Sequence, residues 1–408
     1  MAFQETPTYG PPVVNASGAG RIASIDIFRG LTVLVMVFVD NLDFVKGLPW
    51  WTYHMPRQSN GMTYVDMVFP AFLFVMGMSL PLAVERRLAA GDSRGRVWWH
   101  ILGRSLSLVM LGLFIANGPQ VDLQHTGISA VVWDLLGFAG IALFWGVYGS
   151  SWSNKLPGKV VKLAGLLLLA VLAIIFRRMT SEGQVAWLDF SDWEILGLLG
   201  WAYLLVGSLY LIFKKNLMAL SASLVFLSAL NVMSVANWFV WLKRLPPYAQ
   251  PFEAGLSSIT LAGLIAYLII LDGRFARDLR AKILWATSYA AVLAGAARLL
   301  APFGISKLRD TPTWCLYCAA ANTMLLLFLY WIADVRQGLK WAGFAKVVGA
   351  NALLAYMLAY IAYFSPTLFR LTADGTEGWY GVTRALLFAA FALTATFVLS
   401  RFKFKLQL

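Results

Sequence analysis

Apolar runs long enough to cross a hydrocarbon layer of about 30 Å recur along the whole chain, separated by short polar and charged segments. Read as helices they predict an all-α, polytopic membrane bundle of about twelve spans, at 24–43, 64–84, 97–116, 127–148, 159–176, 193–213, 216–242, 254–272, 283–303, 313–334, 346–368 and 382–400. Two runs, Leu31–Val39 and Met67–Leu80, flank a polar loop that carries His54. Asp26 and Arg29 open the first of these runs, and Asp40, Asn41 and Asp43 close it where the loop emerges. Ionisable groups at membrane depth are costly, so this loop and its flanks are the first place to look for function.

Composition agrees with the pattern. Of 408 residues 60% are hydrophobic and 13% charged, and the mean hydropathy is +0.70, far outside the range of soluble domains. A net charge of +13 would suggest nucleic acid in a soluble chain; here topology absorbs it, and no nucleic-acid partner is expected. With the N-terminus inside, the majority of the 33 Lys and Arg fall in cytoplasmic segments, which predicts N-in, C-in and an external His54 loop. Residues 1–20, rich in Gly, Pro, Ser and Thr, have neither a basic start nor an apolar core, and read as a disordered cytoplasmic tail preceding one transmembrane domain over 21–408.

The two cysteines, Cys315 and Cys318, form a C-x-x-C inside an apolar run with no flanking charge, and read as small buried side chains. Gly137 with Gly140 and Gly255 with Gly263 read as helix-packing positions. There is no phosphate-loop or dinucleotide motif, no obvious internal repeat, and no metal site is expected.

Three histidines bear on chemistry. His100, in W98-W-H-I-L102, fits an interfacial belt; His125, in V121-D-L-Q-H-T-G127, is either solvated or at a substrate mouth. His54 differs in having aromatic neighbours Trp50, Trp51 and Tyr53 and carboxylates on both adjoining helix ends. A carboxylate or amide accepting from one imidazole nitrogen would leave the other free to take a proton or an acyl group.

These residues carry a resemblance. S24-I-D-I-F-R-G30, M36-V-F-V39, and the His-bearing loop ending N60-G-M-T-Y-V-D-M-V-F-P-A-F-L-F-V-M-G77 resemble the signature of the heparan-α-glucosaminide N-acetyltransferase family of transmembrane acyltransferases, with weaker matches at K307-L-R-D-T-P-T-W314 and G349-A-N-A-L-L-A-Y356. The resemblance, as a prokaryotic-type homologue, implies a ten-helix core with an extra pair at about 193–242, which leaves W193-E-I-L-G-L-L-G-W201 without a role. It implies location in the bacterial inner (cytoplasmic) membrane, cytosolic acetyl-CoA as acyl donor, an extracytoplasmic amino sugar of glucosamine type or another glycan as acceptor, and room for a homodimer.

The same resemblance makes His54 catalytic; from the residues themselves Asp40 is its expected imidazole partner, and Asn41, Asn60, Asp66, His125 and Lys307 are expected to bind substrate. Arg29, Arg104, Ser105 and Asn351 are expected toward the donor, arginine being suited to phosphates. Five residues separate His54 from Asn60-Gly61 where the family has about three, Asp40 precedes Asn41 where the family has asparagine first, and Asp134 stands where the family often has arginine. Two alternatives stay open: a polytopic solute transporter, which fits the composition equally well, and an O-acyltransferase of a surface polysaccharide.

Overall fold

The computed structural model describes residues 22–43, 45–148, 156–239, 254–338, 342–364, 377–402 and 404–406. The tail expected over 1–20 lies outside the described residues, as do the ends of the runs predicted at 216–242 and 346–368. The helices are α1 (Ala23–Leu42), α2 (Val65–Ala89), α3 (Arg94–Asn117), α4 (Leu123–Thr126), α5 (Ala130–Trp145), α6 (Leu156–Ile175), α7 (Glu194–Phe213), α8 (Leu217–Val235), α9 (Ala254–Ile270), α10 (Leu279–Leu299), α11 (Pro312–Tyr330), α12 (Gly343–Ala350), α13 (Ala352–Phe364) and α14 (Gly378–Arg401). Two short antiparallel ladders join Gly146–Tyr148 to Phe404–Leu406 and Arg178–Met179 to Val185–Ala186.

Among the described residues every predicted apolar run lies mainly on helix, but helices and membrane spans are not the same count. Among the described residues seven helices are long and apolar enough to cross a membrane, namely α2, α3, α6, α7, α8, α11 and α14, or eight if the bent pair α12–α13 is one span. The others fall short for visible reasons. Helices α5 and α9 are short, α1 carries Asp26, Arg29 and Asp40, and α10 opens with Arg280 and Lys282. The chain is an all-α integral membrane protein.

The core is centred on α9, whose residues from Gly255 to Ile270 are all buried, as expected of a helix apolar on every side. Helix α2 lies along it at backbone contact: a Cβ on Gly77 would collide with the Thr260 carbonyl, and one on Gly263 with the Phe74 carbonyl. Helices α1 and α12 meet in the same reciprocal way, Gly30 against Ala345 and Gly349 against Asp26. Small residues allow such approach where hydrocarbon on both sides removes any hydrophobic drive to associate. Of the glycines singled out in the sequence, Gly140 faces Gly165 and Leu169 of α6, and Gly255 faces Asn231 and Asp310.

The single helix expected over 346–368 is a pair bent by 83°. Asn351 sits at the break with non-helical backbone angles (φ −129°, ψ 40°), and its side-chain amide donates to Ser400 Oγ at 2.8 Å. An asparagine that finds its partner on another helix competes with continuation of its own. Helix α10 begins four residues before its apolar run because Asp278 caps it, accepting from the Ala281 N–H at 2.7 Å.

Replacing Gly263 by valine is expected to force α2 and α9 apart and cost about 1–3 kcal/mol, as overpacking does. Thermal unfolding in detergent should show a clear loss relative to Gly295→Val, since Gly295 on α10 has open space around its Cβ position; equal melting of the two variants would contradict the α2–α9 contact.

Candidate active site

The His54 loop is tied down by its own polar groups. The Tyr53 hydroxyl donates to the Val45 carbonyl and accepts from the Leu48 N–H at 3.1 Å, and the Thr63 hydroxyl donates to the Tyr53 carbonyl at 2.9 Å. Trp50 and Trp51 remain exposed, Trp51 against Tyr64 with ring centroids 6.1 Å apart.

Asp66 lies in the first turn of α2, where the helix dipole favours a negative charge, and it is completely buried. One carboxylate oxygen accepts from the backbone N–H groups of Thr63 (3.0 Å) and Met55 (3.3 Å); the other lies 2.7 Å from His54 Nδ1. A carboxylate can only accept, so Nδ1 carries the proton of the neutral ring and Nε2 keeps its lone pair. The imidazole partner is therefore Asp66, not the expected Asp40. The reason is local: the turn at Asn60-Gly61 returns the chain so that Asp66 lies directly under the loop.

A second loop closes on the first from the junction of α10 and α11. The Ile305 N–H donates to Asn60 Oδ1 at 2.8 Å, the Gly61 N–H donates to the Ile305 carbonyl at 2.9 Å, and Ser306 and Thr311 exchange hydrogen bonds across the turn. This brings Lys307 Nζ to 3.2 Å from His54 Nε2 and 3.4 Å from Nδ1. The Trp314 indole donates to the Asp66 carbonyl at 3.2 Å, so K307-L-R-D-T-P-T-W314 touches the site at both ends. Burial pulls the Lys307 ammonium below the ordinary lysine range, opposed by the carboxylates of Asp66, Asp40, Asp43 and Glu194.

Asp40 is near enough to His54, Lys307, Asp43 and Glu194 to feel each electrostatically, while its side chain stays accessible. It belongs to the cluster without bonding the imidazole. Glu194, at the start of α7, is the residue that sequence reasoning missed. The signal was present in W193-E-I-L-G-L-L-G-W201 as an acidic residue opening an apolar run with no basic neighbour. The loop before it is anchored to the end of α3, where Asn117 Oδ1 accepts from the Asp189 N–H at 2.7 Å. Tyr356 of α13, within the second downstream motif, donates its hydroxyl toward Glu194 at 3.5 Å.

The remaining predicted residues lie elsewhere. Asn41 is buried and its amide donates to the Val37 carbonyl of its own helix at 2.8 Å. His125 pairs with Asp122, which caps α4, and the two are exposed on a loop stitched to Arg177; no contact joins them to His54 among the described residues. Arg29 sits eleven residues before Asp40, about 16 Å along α1. There its guanidinium donates to the Gly349 carbonyl (3.2 Å) and to Ser79 Oγ and lies 3.8 Å from Asp26. At that same end Asp334 accepts from the N–H groups of Ala23 and Ser24, both at 3.1 Å, capping α1.

Arg104 stacks over Tyr203, 5.0 Å from the ring centroid. Its Nε and the neighbouring Ser105 Oγ are buried without a hydrogen-bond partner among the described residues, as is Asn351 Oδ1. These orphaned atoms are suited to a polar ligand inside the bundle; Arg29 lies on α1, which also carries Asp40, and Arg104 lies on α3, which packs against α7. Among the described residues no three His, Cys, Asp or Glu side chains gather as metal ligands. A hollow of about 290 Å³ between α1 and α14 is lined only by apolar side chains, including Leu34, Phe38 and Leu393, and does not border His54.

Because the carboxylates oppose burial at Lys307, Asp66→Asn is expected to lower the Lys307 pKa further. Titration of the ¹³C-methylated amine, assigned by its absence in Lys307→Arg, reads the shift; an unchanged titration would contradict the Lys307–Asp66 proximity.

Residues 21–218 match a family described as a domain of unknown function (DUF5009). The chain is 34% identical over 130 residues to the heparan-alpha-glucosaminide N-acetyltransferase of Mus musculus, covering 32% of this chain and 18% of that protein. It is 35% identical over 121 residues to the enzyme of the same name from Homo sapiens, covering 30% of this chain and 17% of that protein. The chain thus spans less than a fifth of the length of these curated relatives. It is a distant, partial homologue of heparan-alpha-glucosaminide N-acetyltransferase that carries a DUF5009 match.

Proposed function

We propose that the chain is a transmembrane acetyltransferase that moves an acetyl group from cytosolic acetyl-CoA to the amine of an extracytoplasmic amino sugar of glucosamine type. The observation that carries this reading is the His54 geometry: Nδ1 lies 2.7 Å from a buried carboxylate and Nε2 lies 3.2 Å from a lysine. The homology to an N-acetyltransferase supports it.

Nε2 acts in one of two ways. As a general base it first takes one proton from the acceptor's ammonium, freeing the nitrogen lone pair to bond to the thioester carbonyl carbon; collapse of the tetrahedral adduct breaks the carbon–sulfur bond, the nitrogen's surplus proton leaves with CoA as the thiol, and the imidazolium returns its proton to solvent. As a nucleophile it bonds to the carbonyl carbon itself, expels CoA thiolate, and holds the acetyl group until the amine displaces it. In both, Asp66 stabilises the positive imidazole that forms, and the Lys307 ammonium faces the negative charge that develops on the thioester oxygen.

The donor enters from the end of the bundle where Arg29 lies, its phosphates held by Arg29 and Arg104 and its pantetheine amides by polar groups such as Ser105 and Asn351. The exposed faces of Trp50 and Trp51 beside the His54 loop suit a sugar ring. In this reading the N-terminus and C-terminus are cytoplasmic, and a homodimer is compatible with it.

Free-thiol release from acetyl-CoA by the purified chain with glucosamine is expected to fall by about 10²-fold or more in His54→Ala, the scale of a lost general base. If wild type and variant release thiol at one background rate while a sugar crosses proteoliposomes, the chain is a carrier. Ping-pong kinetics with a trapped acetyl-histidine are expected of the nucleophilic route, and their absence with full activity indicates direct transfer.

A further inference from the structure

The chemistry above uses His54, Asp66 and Lys307, and leaves Glu194 unexplained. Its backbone lies in the left-handed region (φ +50°), which costs little for glycine and more for glutamate. The local fold works to hold it there. The Glu194 N–H donates to Asp192 Oδ1 at 2.9 Å, and at the α3–α7 crossing a Cβ on Gly112 would collide with the carbonyl of Trp193, the residue just before it. Gly197 and Gly200 carry that crossing along the next turn, Gly200 against the Ser105 carbonyl.

One oxygen of the carboxylate so placed accepts from the Ile195 N–H and meets the Tyr356 hydroxyl at 3.5 Å, and the group lies within electrostatic reach of Asp40 and Lys307. No ion pair to Glu194 or Asp40 forms among the described residues, although arginine and lysine pair with acids at Asp92, Asp189 and Asp272 elsewhere. Asp66 is matched by His54 and its backbone donors. Apart from His54, the cation within electrostatic reach of the remaining acids Asp40, Asp43 and Glu194 among the described residues is Lys307. An acceptor that arrives as an ammonium would give these acids a counter-ion; a hydroxyl acceptor would not.

We propose that Glu194 is a specificity-determining residue of this site, binding the protonated amine of the acceptor together with Asp40, so that α7 selects amino sugars over their hydroxyl counterparts. The inference rests on the acetyltransferase reading for what the acceptor is, but its test is binding without any acyl donor.

Equilibrium binding of glucosamine and of glucose to the detergent-purified full chain at neutral pH provides that test. Wild type is expected to bind glucosamine about tenfold or more tightly than glucose, the scale of one charge-assisted hydrogen bond. Glu194→Gln should lose that preference while leaving glucose binding unchanged, and Glu194→Asp should keep most of it. Glu194→Gly separates a lost contact from a damaged fold: it should melt at or above the wild-type temperature, its left-handed backbone now being unstrained, yet bind glucosamine as weakly as the glutamine variant. Equal binding of the two sugars by wild type, or unaltered glucosamine binding in Glu194→Gln, would overturn the proposal. A chain that prefers glucosamine through Glu194 but releases no thiol from acetyl-CoA would refute the transferase reading and leave this inference standing.

Discussion

Burial of one carboxylate, Asp66, is the constraint on which the site depends. A charge removed from water is tolerable only if its oxygens are matched by donors, and Asp66 finds them in the Thr63 and Met55 N–H groups, the His54 ring and the first turn of α2. Satisfying that charge also sets the chemistry. The same hydrogen bonds close the His54 loop, choose the imidazole tautomer and place a negative charge beside Lys307 that opposes the effect of burial on its ammonium.

Precision at such a site comes from the helices behind it. The reciprocal glycine contacts of α2 with α9 and of α1 with α12 bring backbones together at separations no larger side chain would allow, so the ends carrying Asp66 and Asp40 have little freedom to drift. The α3–α7 crossing does the same for Glu194. Helix α1, which ends at the cluster with Asp40, carries Arg29 further along.

Much of this was legible in the residues. Each apolar run folds as helix, and His54, Asp66, Asp40 and Lys307 are brought together although Lys307 lies 253 positions from the histidine. What periodicity could not show were decisions made by single polar groups. The imidazole partner was misassigned because Asp40 and Asp66 flank the loop symmetrically in sequence, and only the path of the turn at Asn60-Gly61 chooses between them. The bend at Asn351 was invisible to an apolar pattern that continues through it, since it depends on Ser400 from another helix. Glu194 was overlooked because an acid at a helix start has an ordinary explanation in the dipole, and its distinguishing features, a left-handed backbone and proximity to Asp40, exist only in three dimensions. His125 shows the converse, a local partner three residues away in Asp122.

The most direct measurement is the tautomer of His54. With only three histidines in the chain, ring-¹⁵N labelling with His54→Gln as the assignment control resolves its two nitrogens. The account predicts that the neutral form of the ring carries its proton on Nδ1, with the Nε2 shift of an unprotonated nitrogen, and a loss of that preference in Asp66→Ala. A ring protonated at Nε2 alone, or one unaffected by removal of Asp66, would contradict it.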